Sequence, residues 1–138
     1  MYFIIEGIPK ALKRHRHTRK GFTYDPSKKD KKELLLQVMK YAPKPPITAP
    51  IRIILIFYMP RPKSHFKTKA GKPISKLKPN QPEFHSFTPD LDNLVKMVCD
   101  SLNGVFYKDD SQIAQIKAEK IYCDVGENPK TEIHIEQI

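Results

Sequence analysis

The run Ile-Arg-Ile-Ile-Leu-Ile-Phe-Tyr-Met at residues 51–59 constrains this chain more than any other segment. It is far short of the ~20 apolar residues that a membrane span needs. Its β-branched and aromatic content makes it a strand. Because it is apolar almost throughout, it is expected at the centre of a sheet with both faces covered. Pro43, Pro45, Pro46 and Pro50 precede it and must end whatever helix comes before.

The other elements are read outward from that strand. Residues 2–7 form a second strand candidate. Residues 9–24 are basic and irregular. Ser27 is placed to cap a helix reaching about Tyr41, with Asp30 completing an imperfect capping box and Leu34, Leu35, Val38 and Tyr41 on one apolar face. Lys28, Lys29, Lys31 and Lys32 crowd its start, where cations oppose the helix dipole. Residues 60–89 carry six prolines, many lysines and a single acid, Glu83, and are expected to form one long basic loop. Leu91, Leu94, Val95, Val98 and Leu102 recur at helical spacing, with Asp90 at the N-cap and Gly104 as the stop. A short link at 105–110 leads to a strand at 112–122, a turn at 126–129 and a last strand at 131–137. The order is β-α-β-(long basic loop)-α-β-β in one α+β domain spanning 1–138, a length that suits a single core.

Lysine and arginine total 25 against 15 acids, a net charge of +10 that suits a polyanionic partner. Cys99 and Cys123 lie too far apart in pattern for a metal pair or disulfide framework, and read as buried thiols of a reducing compartment. The apolar start of the chain is too short for a signal peptide. A soluble, cytoplasmic protein with no membrane partner is expected.

The chemistry concentrates in the acids. Asp90 and Asp92 flank Leu91, and Asp109-Asp110 follow the second helix. If the chain is still extended at Asp90, both carboxylates of the first pair face one side; if the helix has begun, they diverge. Carboxylates so grouped repel unless a cation holds them together. Mg²⁺ takes oxygen ligands from one or two carboxylates, waters and phosphate, and promotes phosphodiester hydrolysis. Each acid also has an ordinary explanation. Asp90 would serve as an N-cap, Asp92, Lys96 and Asp100 as an i, i+4, i+8 ion-pair ladder, and Asp109-Asp110 as a turn.

The run Pro-Asp90-Leu-Asp92-Asn93-Leu94-x-Lys96-x-x-x-Asp100-x-Leu102-Asn-Gly104-Val105-x-x-x-Asp109-Asp110-x-Gln112-Ile113 closely resembles the signature of the RusA family of Holliday junction resolvases, common in phages and prophages. Weaker similarity extends to the preceding strand and to Ala118-Glu119-Lys120. The resemblance implies a small mixed sheet with helices packed on it. It also implies a homodimer using Mg²⁺, with Mn²⁺ as a substitute, to nick four-way DNA junctions symmetrically in recombination and repair. The implied setting is a bacterial host's nucleoid. By the same resemblance, Asp90, Asp92 and Asp110 are the essential aspartates and metal ligands, Lys96 is the important helix lysine, and Asp109 is a ligand or a partner of one. The family pattern departs here at 60–89, since compact members run from strand to motif almost directly.

Lys10, Lys13, Arg14, Arg16, Arg19 and Lys20 form one candidate DNA-contacting group, and Arg61, Lys63, Lys67, Lys69, Lys72, Lys76 and Lys78 another. Their plainer reading is solvated charge. Phe66, Phe84 and Phe87 either stack on bases or anchor the loop. His15 and His17 alternate, but nothing nearby completes a metal site. His65, His85 and His134 carry no clear signal. Three function readings remain: a RusA-like resolvase; a non-catalytic basic nucleic-acid binder, either a degenerate resolvase or an RNA-binding module; and, behind both, a metal nuclease with an unrelated substrate. The retained carboxylates distinguish the first two, since a binder gains nothing from acids facing phosphate.

Overall fold

The computed structural model describes residues 1–14 and 16–138, with the side chain of Arg16 also outside the description. His15 and the Arg16 side chain, both singled out above, therefore lie outside the described residues. The elements in chain order are β1 (Tyr2–Glu6), β2 (Arg16–His17), β3 (Thr23–Tyr24), α1 (Lys28–Val38), β4 (Ile51–Met59), β5 (Phe66–Lys69), β6 (Lys72–Leu77), α2 (Leu91–Leu102), β7 (Ile113–Tyr122) and β8 (Lys130–Gln137).

The main sheet has the order β1-β8-β4-β7. β1 and β4 pair with β8 antiparallel, whereas β4 and β7 run parallel. The sheet is therefore mixed, and both helices pack together on one face of it. The fold is α+β, as the element order implies. β4 is central, but only one of its faces is fully covered. Ile51, Ile53, Leu55, Phe57 and Met59 are at most 2% exposed, while Arg52, Ile54, Ile56 and Tyr58 are half-buried on the other side. A strand with Ile at both in- and out-facing positions hides its period-2 alternation, which is why the sequence implied cover on both faces. Each inward side chain contributes roughly 1.5–3 kcal/mol by leaving water, and Phe3, Val38, Leu94, Leu102, Phe106 and Ile133 complete that core.

Three local expectations need correction. Ser27 stands at the N-cap of α1, yet its buried hydroxyl accepts from the Lys13 backbone N–H at 2.8 Å instead of capping the helix. Asp30 pairs with Lys10 at 3.1 Å rather than closing a capping box. Tyr41 leaves the helical face in a terminal 3-10 turn and stacks on Phe3.

Two stretches read as loop contain hairpins. β2 and β3 pair within the N-terminal basic stretch. β5 and β6 pair within 60–89, around Ala70 and Gly71, which both have positive φ (54° and 76°). Positive φ at both central residues is what a two-residue turn needs to match strand twist. The remainder of that segment adds to the edge of β7: the Tyr122 N–H donates to the Glu83 carbonyl at 2.9 Å and the His85 N–H to the Lys120 carbonyl at 3.1 Å.

Candidate active site

α2 begins at Leu91 because Pro89 cannot lie in a helix interior and Asp90 sits at the N-cap with extended φ −69°, ψ 142°. The Asp90 side chain makes no capping hydrogen bond. Its presence here is thus not accounted for by helix capping. Leu94, Val98 and Leu102 are buried in the core, and Met97, Cys99 and Ser101 are buried beside them, which fixes the rotation of the helix. Asp92, Lys96 and Asp100 consequently share the opposite edge, one helical turn apart.

The chain then turns back. Gly104, at φ 79°, allows the reversal. The buried Tyr107 hydroxyl donates to the Cys99 carbonyl at 2.6 Å, which holds the return against the helix. Gln112 secures the end of the link: its side-chain amide donates to the Ile47 and Ala49 carbonyls, each at 2.9 Å. The result is an open groove of about 630 Å³ between α2 and β7, lined by Asp92, Lys96, Cys99, Asp100 and Asp110, with Ile113, Ile116 and Ala118 on the strand side. The link does fold toward the helix, and it brings Asp110 to the same cavity as Asp92.

The ion-pair ladder forms only in its second half. Lys96 stands 3.8 Å from Asp100, which also lies 3.8 Å from Lys31 of α1. Among the described residues, Asp90, Asp92 and Asp110 have neither an ion pair nor a side-chain hydrogen bond. Asp109 differs. It takes a hydrogen bond from the Ser111 hydroxyl, while its own N–H donates to the Gln112 side chain at 2.8 Å. The turn explanation therefore fits Asp109 and not Asp110.

Burial, with the added negative charge of Asp100 and Asp110, pushes the Cys99 thiol up to about 11. At neutral pH it is a thiol, not a nucleophile or a thiolate ligand. Tyr107 is shifted upward for the same reasons, burial first.

Among the described residues no three carboxylate, imidazole or thiol groups stand close enough to close around one ion. The donor set nonetheless fits Mg²⁺, which binds through one or two carboxylates and completes its octahedron with water and phosphate oxygens. Asp92 and Asp110 supply two carboxylates without a cation partner among the described residues.

The profile of the endodeoxyribonuclease RusA family matches residues 6–136. The chain belongs to the RusA family. This RusA-family chain is also 34% identical over 141 residues to the uncharacterized protein YqaN of Bacillus subtilis (strain 168), covering 99% of this chain and 95% of the relative. None of its described helices is long and apolar enough to cross a membrane.

The basic groups divide once placed. Lys63, Lys67, Lys69, Lys72, Lys76 and Lys78 are exposed on or beside the β5–β6 hairpin, and Lys13, Arg14, Arg19 and Lys20 are exposed near β2 and β3. Lys10 is drawn into pairs with Asp30 and Glu33. Arg61 is not a free contact: it donates to the Cys123 and Pro82 carbonyls at 3.1 and 2.9 Å and lies over the Tyr122 ring. His17 bonds to Thr23 and His134 faces Glu136. Phe66 is half-buried, whereas Phe84 and Phe87 are 57% and 68% exposed. The sequence reading missed the roles of Gln112, Arg61 and Lys120 as backbone clamps. All three are long polar side chains beside proline-rich or turn segments, and only their carbonyl partners reveal the role.

Proposed function

We propose that this chain is a Mg²⁺-dependent, structure-specific endodeoxyribonuclease that resolves four-way DNA junctions by paired, symmetric nicks as a homodimer, in recombination and repair at the bacterial nucleoid. The single observation carrying this reading is the groove shared by Asp92 and Asp110, both without a cation partner among the described residues, in a chain of the RusA family. Asp90, Asp92 and Asp110 would hold the ion. When bound, it would supply an activated water and charge neutralisation at the scissile phosphate.

The remaining work falls to the chain. Lys96, with 60% of its side chain exposed, is tethered by Asp100 at the groove wall. From there it neutralises phosphate charge and the developing charge on the leaving oxygen. Asp109 and Gln112 hold the turn that presents Asp110. The exposed lysines of the β5–β6 hairpin bind backbone phosphates without reading sequence. Two copies related by a two-fold axis match the approximate symmetry of a four-way junction.

The test is incubation of a synthetic four-way junction and a matched linear duplex with Mg²⁺ or chelator. Paired nicks in the junction alone, abolished by chelator, are expected. Tight junction binding with no cleavage at any divalent-ion concentration would favour the non-catalytic binder.

A further inference from the structure

Lys120 lies on β7, the strand forming the second wall of the groove, and its side chain is taken up by backbone carbonyls. Its ammonium donates to the Phe87 carbonyl at 2.6 Å and to the Pro89 carbonyl at 2.7 Å. Its own carbonyl accepts the His85 N–H at 3.1 Å. One residue thus ties down three alternate positions, 85, 87 and 89, of the segment that ends at Asp90. No regular sheet ladder does this, because Pro89 has no N–H to offer and pairing with β7 ends near His85. Ammonium-to-carbonyl bonds are charge-assisted and short. Among the described residues Lys120 has no carboxylate partner to divert it.

We propose that Lys120 is a positioning residue for the metal-binding carboxylates: it fixes the backbone immediately before Asp90 to the strand that follows Asp110. The two halves of the site are far apart in sequence, and Lys120 joins the entry of one to the exit of the other. The inference rests on the metal-nuclease reading above, and it concerns how the Asp90 backbone is held, not contact with DNA.

The test compares wild type with Lys120→Met, Lys120→Gln, Lys120→Arg and Asp90→Asn. Mn²⁺ binding is followed by the electron paramagnetic resonance signal of the free ion, and junction cleavage is followed across Mg²⁺ concentrations. Lys120→Met is expected to weaken Mn²⁺ binding by ~10-fold or more, as loss of outer support for a metal site does. Cleavage should then recover as Mg²⁺ is raised. Lys120→Arg, which keeps the charge and the donors, should restore most of the affinity. If Lys120→Met does not fold by circular dichroism, Lys120→Gln carries the same expectation. A folded Met or Gln variant with wild-type Mn²⁺ affinity and wild-type Mg²⁺ dependence would overturn the assignment alone. So would a fall in cleavage with metal binding unchanged. Wild type that binds no Mn²⁺ would overturn the metal-nuclease reading and this inference with it.

Discussion

Asp109 and Asp110 are neighbours in sequence and differ in what their side chains do. Asp109 is committed to its own turn, whereas Asp110 faces the groove. Asp92→Asn and Asp110→Asn should each lower junction cleavage by more than ~100-fold, beyond the usual loss from an outer-sphere change. Asp109→Asn should cost less activity than either, because asparagine still accepts a hydrogen bond in a turn. Single-turnover rates at saturating Mg²⁺ compare them; equal losses at 109 and 110 would contradict the division. His85 offers a second residue-scale prediction. Its Nδ1 is buried with no hydrogen-bond partner among the described residues. Burial first, then the Lys120 charge, lowers its pKa. The folded state therefore resists protonation relative to the unfolded chain, where the value is near 6.5. The stability this gives is full above about 6.5 and is lost as pH falls through the lower folded value. His65, packed on the same Tyr122 ring, shifts in the same direction, with burial again the first cause. The melting temperature should drop between pH 7 and 5 less steeply in His85→Phe than in wild type; parallel curves would argue against it.

At the scale of elements, legibility followed locality. α2 was readable because its apolar residues recur at 3.6 and its ends carry Pro89 and Gly104. β4 and β8 were readable from β-branched content. β7 was readable as a strand, but Ile116, which alternates with Gln115 and Lys117 as an inward-facing residue would, is 50% exposed at the groove. The register of the pairing with β7 shifts between Ile51 and Arg52. The β5–β6 hairpin was not readable. Lysines occupy four of its ten strand positions, Pro73 lies inside β6, and its turn uses Ala70 where Asn or Asp would signal one. With its lysines exposed, the hairpin has little to bury. Replacing residues 66–77 by a short glycine linker should leave the melting temperature within a few degrees. It should also weaken junction binding and flatten its salt dependence by ~0.9 in slope for each DNA phosphate that the hairpin lysines neutralise. Fluorescence anisotropy at several salt concentrations reads this, and an unchanged slope would show that those lysines are merely solvated.

At the scale of the whole molecule, the sheet, with its helices on one face, is the rigid part, and the candidate site lies along its β7 edge. The sequence singled out candidate aspartates but not how the segments carrying them are held, because that depends on contacts beyond local pattern: Gln112 with Ile47 and Ala49, Tyr107 with Cys99, and Lys120 with Phe87 and Pro89. Each is one side chain meeting backbone carbonyls, and none leaves a periodic trace. The Gln112 contact has a consequence for behaviour on heating. The mostly exposed 109–112 end of the link, tied to the 47–49 segment by the two Gln112 amide hydrogen bonds, opens at a lower free-energy cost than the strands that hold the core. The nuclease should therefore stop working before it melts: cleavage should fade over a temperature range in which circular dichroism is still native, and return on cooling. Gln112→Ala should widen that interval by lowering the temperature of inactivation more than that of unfolding. Coincident loss of both signals would mean that the turn and the sheet come apart together.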